Sequence, residues 1–245
     1  MTPEWYASWF ESPWYMRLYR HRTEEEAREA VDLVQRLAGV PRGSKVLDLC
    51  CGYGRHALAL AEHGYEVTGL DNSHYLIDRA RELYPHENVT YVVGDMRGPF
   101  PMGPFHAIAN FFTSFGYFDT HEQNVSVLHA IRANLVEGGV FVMDFLNAKL
   151  LRSTLVAESM GLIDDVTVMQ ERWIDEPFVR KRITISNPCS YEQEFEERVW
   201  LYDKDALVDM CIEAGLRVRS IHGWYDGAEF NEATSTRCII VAEAT

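Results

Sequence analysis

Apolar positions switch between two periods along this chain. Within residues 45–64, KVLDLCCGYGRHALALAEHG, the run Val46, Leu47, Leu49, Cys50 and Cys51 predicts a short strand covered on both faces. Gly52 and Gly54 follow as a turn, and Ala57, Leu58, Leu60 and Ala61 then recur at helical spacing until Gly64. Upstream, Thr23-Glu24-Glu25-Glu26 reads as a capping box opening a helix whose stripe is Ala27, Ala30, Val31, Val34 and Leu37, ended by Gly39 and Pro41. Downstream, the pattern predicts strands at 66–70, 88–94 and 106–112, a turn at 101–105, and helices at 73–83 and 120–136, the latter behind a second capping box from Thr120 to Gln123. Gly138 and Gly139 turn the chain into a fifth strand, 140–146. Buried strands alternating with amphipathic helices predict an α/β fold with a doubly wound, mostly parallel sheet.

From Ala148 the period becomes two. Segments 165–173, 178–186 and 194–202 alternate in polarity between turns at Asp175-Glu176-Pro177 and Asn187-Pro188, which predicts an antiparallel β meander inserted after the fifth strand. It is read as a cover for an acceptor pocket or as a plain stabilising or oligomer-contact sheet, and its basic run Arg180, Lys181, Arg182 as solubilising strand charge. Asp203 caps a helix ending at Gly215, and strands at 216–221 and 236–242 close the chain, with His222, Trp224 and Tyr225 between them and Trp224 expected in the core. The first 22 residues carry Trp5, Tyr6, Trp9, Phe10, Trp14, Tyr15 and Tyr19. They form either a lid over a ligand, touched first by Tyr15, Tyr19 and Arg20, or an arm pinned by aromatic burial. The expected organisation is an arm at 1–22, a main domain from 23–147 and 203–245, and an inserted β subdomain at 148–202.

Composition narrows the function classes. With 245 residues and 47% hydrophobic content, one domain with an elaboration is expected. A formal net charge of −14 disfavours a nucleic-acid partner and favours cationic ligands. No membrane-spanning run or leader-like start is seen, so a cytoplasmic monomer or homodimer is expected. Five cysteines without paired spacing, and nine histidines without a ligand pair, predict reduced thiols and no bound metal.

The glycine turn carries the chemistry. Asp71 ends the next predicted strand seventeen positions after Gly54, which fits a β-α-β unit whose acid accepts ribose hydroxyls. GYGRHA even fits the fingerprint of dinucleotide enzymes. A pyrophosphate on this turn would be opposed by Asp48, four residues before Gly52, whereas a sulfonium and an ammonium would be attracted and the turn's N–H groups would receive a carboxylate.

VLDLCCGYG, VTGLDNS, VVGDMR and NLVEGGVFVMDF, in this order and spacing, resemble the successive motifs of class I S-adenosylmethionine-dependent methyltransferases. The resemblance implies a Rossmann-like seven-stranded methyltransferase fold and S-adenosyl-L-methionine as cofactor, leaving S-adenosyl-L-homocysteine. It implies donor contacts at Asp48, Cys50, Gly52, Gly54, Asp71, Asn72, Asp95, Met96 and Asn110, with Asp95 on the adenine amino group and the Met96 N–H on a ring nitrogen. Cys50 stands where the family most often has glycine, so its backbone is expected to avoid conformations that only glycine tolerates. His106 replaces the Asp that usually opens the fourth strand, and NFFT retains only the Asn of one amine-methylating subgroup's signature. Asn110, Phe111 and Phe112 are expected near the sulfonium and Asn147 at the fifth strand's ligand-facing end, with Ser114, Tyr117 and Phe118 lining an acceptor pocket; Phe115 or Phe118 is assigned to core. Tyr15, Tyr117, His121 and His222 are the candidate catalytic helpers, and a pocket walled by Tyr and Phe suggests a small-molecule acceptor with an apolar or cationic part. Two rivals stay open: a nicotinamide- or flavin-dependent oxidoreductase and a non-catalytic S-adenosylmethionine-binding protein.

Overall fold

The computed structural model describes residues 4–187 and 191–245. A seven-stranded sheet runs in the order β10-β11-β5-β4-β1-β2-β3. The members are β1 (Lys45–Leu49), β2 (Glu66–Asp71), β3 (Val89–Val93), β4 (Phe105–Asn110), β5 (Leu135–Leu146), β10 (Leu216–His222) and β11 (Arg237–Ala244). β1 pairs in parallel with both β2 and β4, and only β11 lies antiparallel to the strands beside it, β5 and β10. Strand order therefore reverses between β1 and β4, and a crevice opens at their carboxyl ends, at Cys50 and Phe111.

Helices cover both faces because each carries one apolar stripe. α3 (Glu24–Ala38), α4 (Arg55–Glu62) and α5 (His74–Leu83) bury Val31, Leu60 and Ile77 against one face, while α6 (His121–Asn134) and α8 (Lys204–Glu213) bury Leu128 and Met210 against the other. The caps predicted at Thr23 and Thr120 both form, but the box expected at Thr23 is only half made, without the return bond from the Glu26 side chain. Thr23 takes the Glu26 N–H and Thr120 forms a full capping box with Gln123, each such cap contributing about 1 kcal/mol.

Beyond Asn147, α7 (Ala148–Thr154) leads into a separate antiparallel sheet, β6-β7-β8-β9: Glu158–Ile163, Val166–Asp175, Phe178–Asn187 and Tyr191–Trp200. The meander is thus where the alternation put it, with one strand more than expected. β6 (ESMGLI) has too few buried positions to show a period, since only Ile163 is buried. The predicted turn at Asn187-Pro188 runs into residues outside the described ones, as does Cys189. Two further boundaries shift: α6 stops at Asn134, and β5 runs straight through Gly138 and Gly139 rather than turning there.

The aromatic arm folds as α1 (Trp5–Trp9) and α2 (Pro13–Leu18). Trp9 is fully buried among Ile163, Val166, Val168, Ile183 and Ile185 of the inserted sheet, and its indole N–H donates to Glu197 at 2.7 Å. Ser73, which caps α5, donates to the Phe10 carbonyl, while Glu11 receives the backbone N–H groups of His74 and Tyr75. The arm bridges the main sheet and the inserted one.

Candidate active site

The turn after β1 is built on positive φ angles. Gly52 and Gly54 have φ of 56° and 95°, and a Cβ on Gly54 would stand 2.6 Å from the Tyr91 hydroxyl, so glycine is required there. Cys50 also adopts φ 63°, contrary to the expectation that a side chain would keep it out of this region. The conformation costs about 1–2 kcal/mol. It is held on one side by the Cys51 N–H to the Leu70 carbonyl and on the other by Asn110, whose amide donates to the carbonyls of Leu49 and Ser114.

Two cavities meet at this turn. A narrow slot of about 60 Å³ lies between β2, β3 and the arm, with Tyr6, Asp71, Asn72, Asp95, Met96 and Phe118 on its walls. A larger cavity of about 430 Å³ extends under the inserted sheet. Phe10, Tyr15, Cys50, Gly52, Ser114 and Tyr117 line both.

In the slot, Asp71 accepts the N–H groups of Gly52 and Ser73, each at 2.9 Å, which orients both oxygens; burial nevertheless raises its pKa. Asp95 is gripped by the Arg97 guanidinium at 2.5–3.1 Å and by the Arg97 N–H. Burial pushes its carboxyl up, but these bonds reverse the effect and hold it low. The Cys50 thiol touches the Met96 sulfur at 3.9 Å.

Other expected donor residues face elsewhere. Asp48 is buried, lines neither cavity, and takes the Ala57 N–H through one oxygen while the other has no partner among the described residues. Burial, with Asp71 nearby, pushes its carboxyl up to about 8, so it is largely neutral at pH 7 and offers no attraction to a sulfonium. Asn110 braces the backbone and lines neither cavity. The turn's N–H groups are also partly spent, Gly52's on Asp71 and Gly54's on the Cys51 carbonyl.

Of the four catalytic candidates, Tyr15 and Tyr117 reach the cavities and the two histidines do not. His121 faces the Tyr202 hydroxyl at 3.2 Å, and His222 is held between the Gly227 carbonyl and the Ser220 hydroxyl. Burial pushes the Tyr15 phenol up to about 12 and Tyr117 well above its usual value, so both stay protonated at neutral pH. Phe115 and Phe118 are both core, whereas Trp224 is partly exposed and not in the core as expected. Asn147 caps α7, and its amide donates to the carbonyls of Glu232 and Ser235. Arg20 lies on the surface beside Asp164; its neighbour Arg22 lines the larger cavity instead.

Pattern reasoning missed the basic character of that cavity, whose walls carry the charged side chains of Arg22, Arg55, Arg172, Lys181 and Arg237. Three guanidinium groups gather round the Phe112 ring, Arg22 at 4.5 Å, Arg55 at 5.5 Å and Arg237 at 5.9 Å. Phe112 and Thr113 both have positive φ, and Asp144 holds them there by accepting the Phe112 N–H on its carboxylate and the Thr113 N–H on its carbonyl. Asp144 also pairs with Arg237 at 2.6 Å and receives the Tyr225 hydroxyl at 2.7 Å. Lys181, read as a solubilising charge, points inward from the central strand β8 and pairs with Glu197 at 2.7 Å, where Tyr19 and Trp9 also donate. His56 is buried against Phe111 at 4.3 Å, and burial drives its pKa well below normal, leaving it neutral. The only sequence signal for these groups was their nearness to caps and turns: Arg22 precedes Thr23, and Arg55 opens α4.

A family model described as a methyltransferase domain matches residues 46–139. The solved CcbJ methyltransferase from Streptomyces caelestis superposes with a TM-score of 0.77 over 92% of this chain and 98% of that one, at 23% identity. An S-adenosylmethionine-dependent methyltransferase from Clostridium acetobutylicum gives 0.78 over 94% and 96%, at 17% identity. This is the class I methyltransferase fold, with an antiparallel insertion after the fifth strand. In sequence, the methyltransferase-fold chain is 31% identical over 132 residues to a dTDP-3-amino-3,4,6-trideoxy-alpha-D-glucopyranose N,N-dimethyltransferase of Streptomyces venezuelae, covering 53% of this chain and 54% of that protein. It is 26% identical over 238 residues to a cypemycin N-terminal methyltransferase of a Streptomyces species, covering 90% and 96%. The chain spans about half the length of the first of these. No helix among the described residues is long and apolar enough to cross a membrane, and among them no group of three or more His, Cys, Asp or Glu is placed to hold a metal ion.

Proposed function

We propose that this protein transfers a methyl group from S-adenosyl-L-methionine to a small-molecule acceptor. The observation that carries the reading is the junction of the two cavities at Cys50, Gly52, Ser114 and Tyr117, with Asp71 and Asp95 on the slot side and open volume on the other. A nucleoside in the slot would find Asp71 for its ribose hydroxyls and Asp95 for its base. Arg22 and Arg55, beside the turn, fit the donor's carboxylate in place of the N–H groups already spent. The bound donor supplies a methyl group activated on a sulfonium.

The chain's own contribution is alignment and exclusion of water. Ser114 and Tyr117 flank the junction, and the protonated phenols of Tyr15 and Tyr117 orient an acceptor by donating hydrogen bonds. The acceptor therefore has to present a lone pair without help from a strong base. The slot that would take the donor's nucleoside end is narrow and is walled by Tyr6 and Phe10 of the arm, which supports the lid reading. The oxidoreductase rival loses ground because the Gly52 and Gly54 N–H groups that a pyrophosphate would use are engaged.

Calorimetric titration of S-adenosylmethionine, S-adenosylhomocysteine and NADH tests the proposal. Micromolar binding of the two adenosyl ligands, about −8 kcal/mol, weakened at least tenfold in Asp71→Ala, is expected. Binding of NADH alone would overturn it.

A further inference from the structure

The larger cavity is basic in a protein whose net charge is −14, and its cations are not equally neutralised. Arg237 is answered by Asp144 and Lys181 by Glu197, while Arg180, on the other face of β8, pairs with Asp175 and Glu196. Arg22, Arg55 and Arg172 have no carboxylate within ion-pairing distance among the described residues. Arg22 is set over the rings of Tyr19 and Phe112, and Arg55 donates to the Thr23 carbonyl. A donor carboxylate answers one or both of these two, beside the glycine turn. Arg172 stands apart from them, on the inserted sheet.

Arg172 is held in place without being discharged. Its guanidinium donates to the Ser159 hydroxyl at 3.0 Å and to the Gln170 side-chain oxygen at 2.8 Å, both neutral. Across the strand pair it faces Lys181, which in turn faces Glu197, so Arg172 ends a row on the inward side of the sheet whose other two members satisfy each other. Leu151, Leu155, Val179 and Val199 give the same cavity an apolar wall. The proposed donor brings an ammonium and a sulfonium besides its carboxylate, so its binding makes the cavity more positive. A cationic acceptor would meet repulsion from Arg172, and a neutral one would leave a half-buried guanidinium unanswered.

We infer that the acceptor is an anion, a small molecule with an apolar part whose carboxylate or phosphate is received by Arg172 on the inner face of the inserted sheet. This rests on reading the larger cavity as the acceptor site, and it replaces the cationic acceptor suggested by the aromatic walls. The sheet is then a substrate-recognition surface.

The test uses full-length protein at low ionic strength, saturated with S-adenosylhomocysteine so that the donor's own carboxylate position is filled. Acetate, inorganic phosphate, acetamide and tetramethylammonium are titrated while arginine side-chain resonances are followed by NMR. Acetate or phosphate should bind and shift the Arg172 signal, and the stronger of the two identifies the anion. Arg172→Gln should weaken that binding at least roughly tenfold, with S-adenosylhomocysteine affinity unchanged. Arg172→Lys should recover most of it, and Arg182→Gln, on the opposite face, should leave it intact. Unaltered anion binding in Arg172→Gln, or a preference for tetramethylammonium, overturns the inference. If S-adenosylhomocysteine itself fails to bind, the methyltransferase reading falls, while the Arg172 dependence of anion binding to the free protein still decides this one.

Discussion

Replacing Asp144 by Asn removes one charge from a largely buried cluster and barely alters its shape. In the native chain its carboxylate meets the Arg237 guanidinium, the Tyr225 hydroxyl and the Phe112 N–H, and its carbonyl meets the Thr113 N–H. Asp144→Asn leaves Arg237 uncompensated, a loss of about 3–5 kcal/mol for a broken buried pair. The same change weakens the acceptor of the Phe112 N–H, whose left-handed backbone costs about 1–2 kcal/mol, while the Thr113 N–H keeps its main-chain partner. For a domain of this size about 2–4 °C is lost per kcal/mol, so scanning calorimetry should show a melting point lower by roughly 6–20 °C. Arg237→Gln alone should cost a comparable amount, and the double variant should cost much less than the two together. A melting point within about two degrees of wild type for Asp144→Asn, or full additivity in the double variant, would refute the argument that this pair fixes the β4 exit.

Asp48 makes a pH-dependent prediction. Its carboxyl titrates at about 8 in the native state and near 3.9 when unfolded, so between those values the native state keeps a proton that the unfolded chain releases. Its contribution to stability is complete below the unfolded value and is lost as pH rises toward 8, at about 1.4 kcal/mol per pH unit. Urea unfolding should therefore find Asp48→Asn gaining on wild type by roughly 2–3 kcal/mol between pH 6 and pH 8; a constant difference across that window counts against it. Trp9→Ala empties the core under the inserted sheet at a cost of about 3–5 kcal/mol and should make the arm, residues 4–22, the first site of limited proteolysis, whereas an unchanged digest would mean that the arm is held elsewhere.

The main sheet was legible because its strands are short, mostly apolar runs set between helices with turn residues near their ends, and its helices carry caps that local residues alone decide. The glycine turn and Asp71 were legible for the same reason: consecutive residues build them. The cationic cavity was not, since Arg22, Arg55, Arg172 and Arg237 come from the arm, the main domain, the insertion and the closing hairpin, and only tertiary packing brings them together. Asp48 misled because its place on β1 sets nearness to the turn, while the pleat turns its side chain away from both cavities. Lys181 misled because strand alternation shows that Arg180 and Lys181 face opposite ways but not which face meets the protein. Cys50 shows that a strained backbone can be imposed from outside, here by Asn110 and Leu70.

The arm also equips the protein to report on itself. Three of its six tryptophans, Trp5, Trp9 and Trp14, stand on the two short helices that tie the inserted sheet to the start of α5. Trp9 bonds Glu197 on one side of the larger cavity, and Trp5 packs edge-on against Tyr117 at the junction. Any displacement of these helices changes the polarity and hydrogen bonding of indoles that dominate the molecule's ultraviolet emission. The timing of arm movement relative to ligand capture is thereby readable in rapid mixing from unlabelled, unmodified protein.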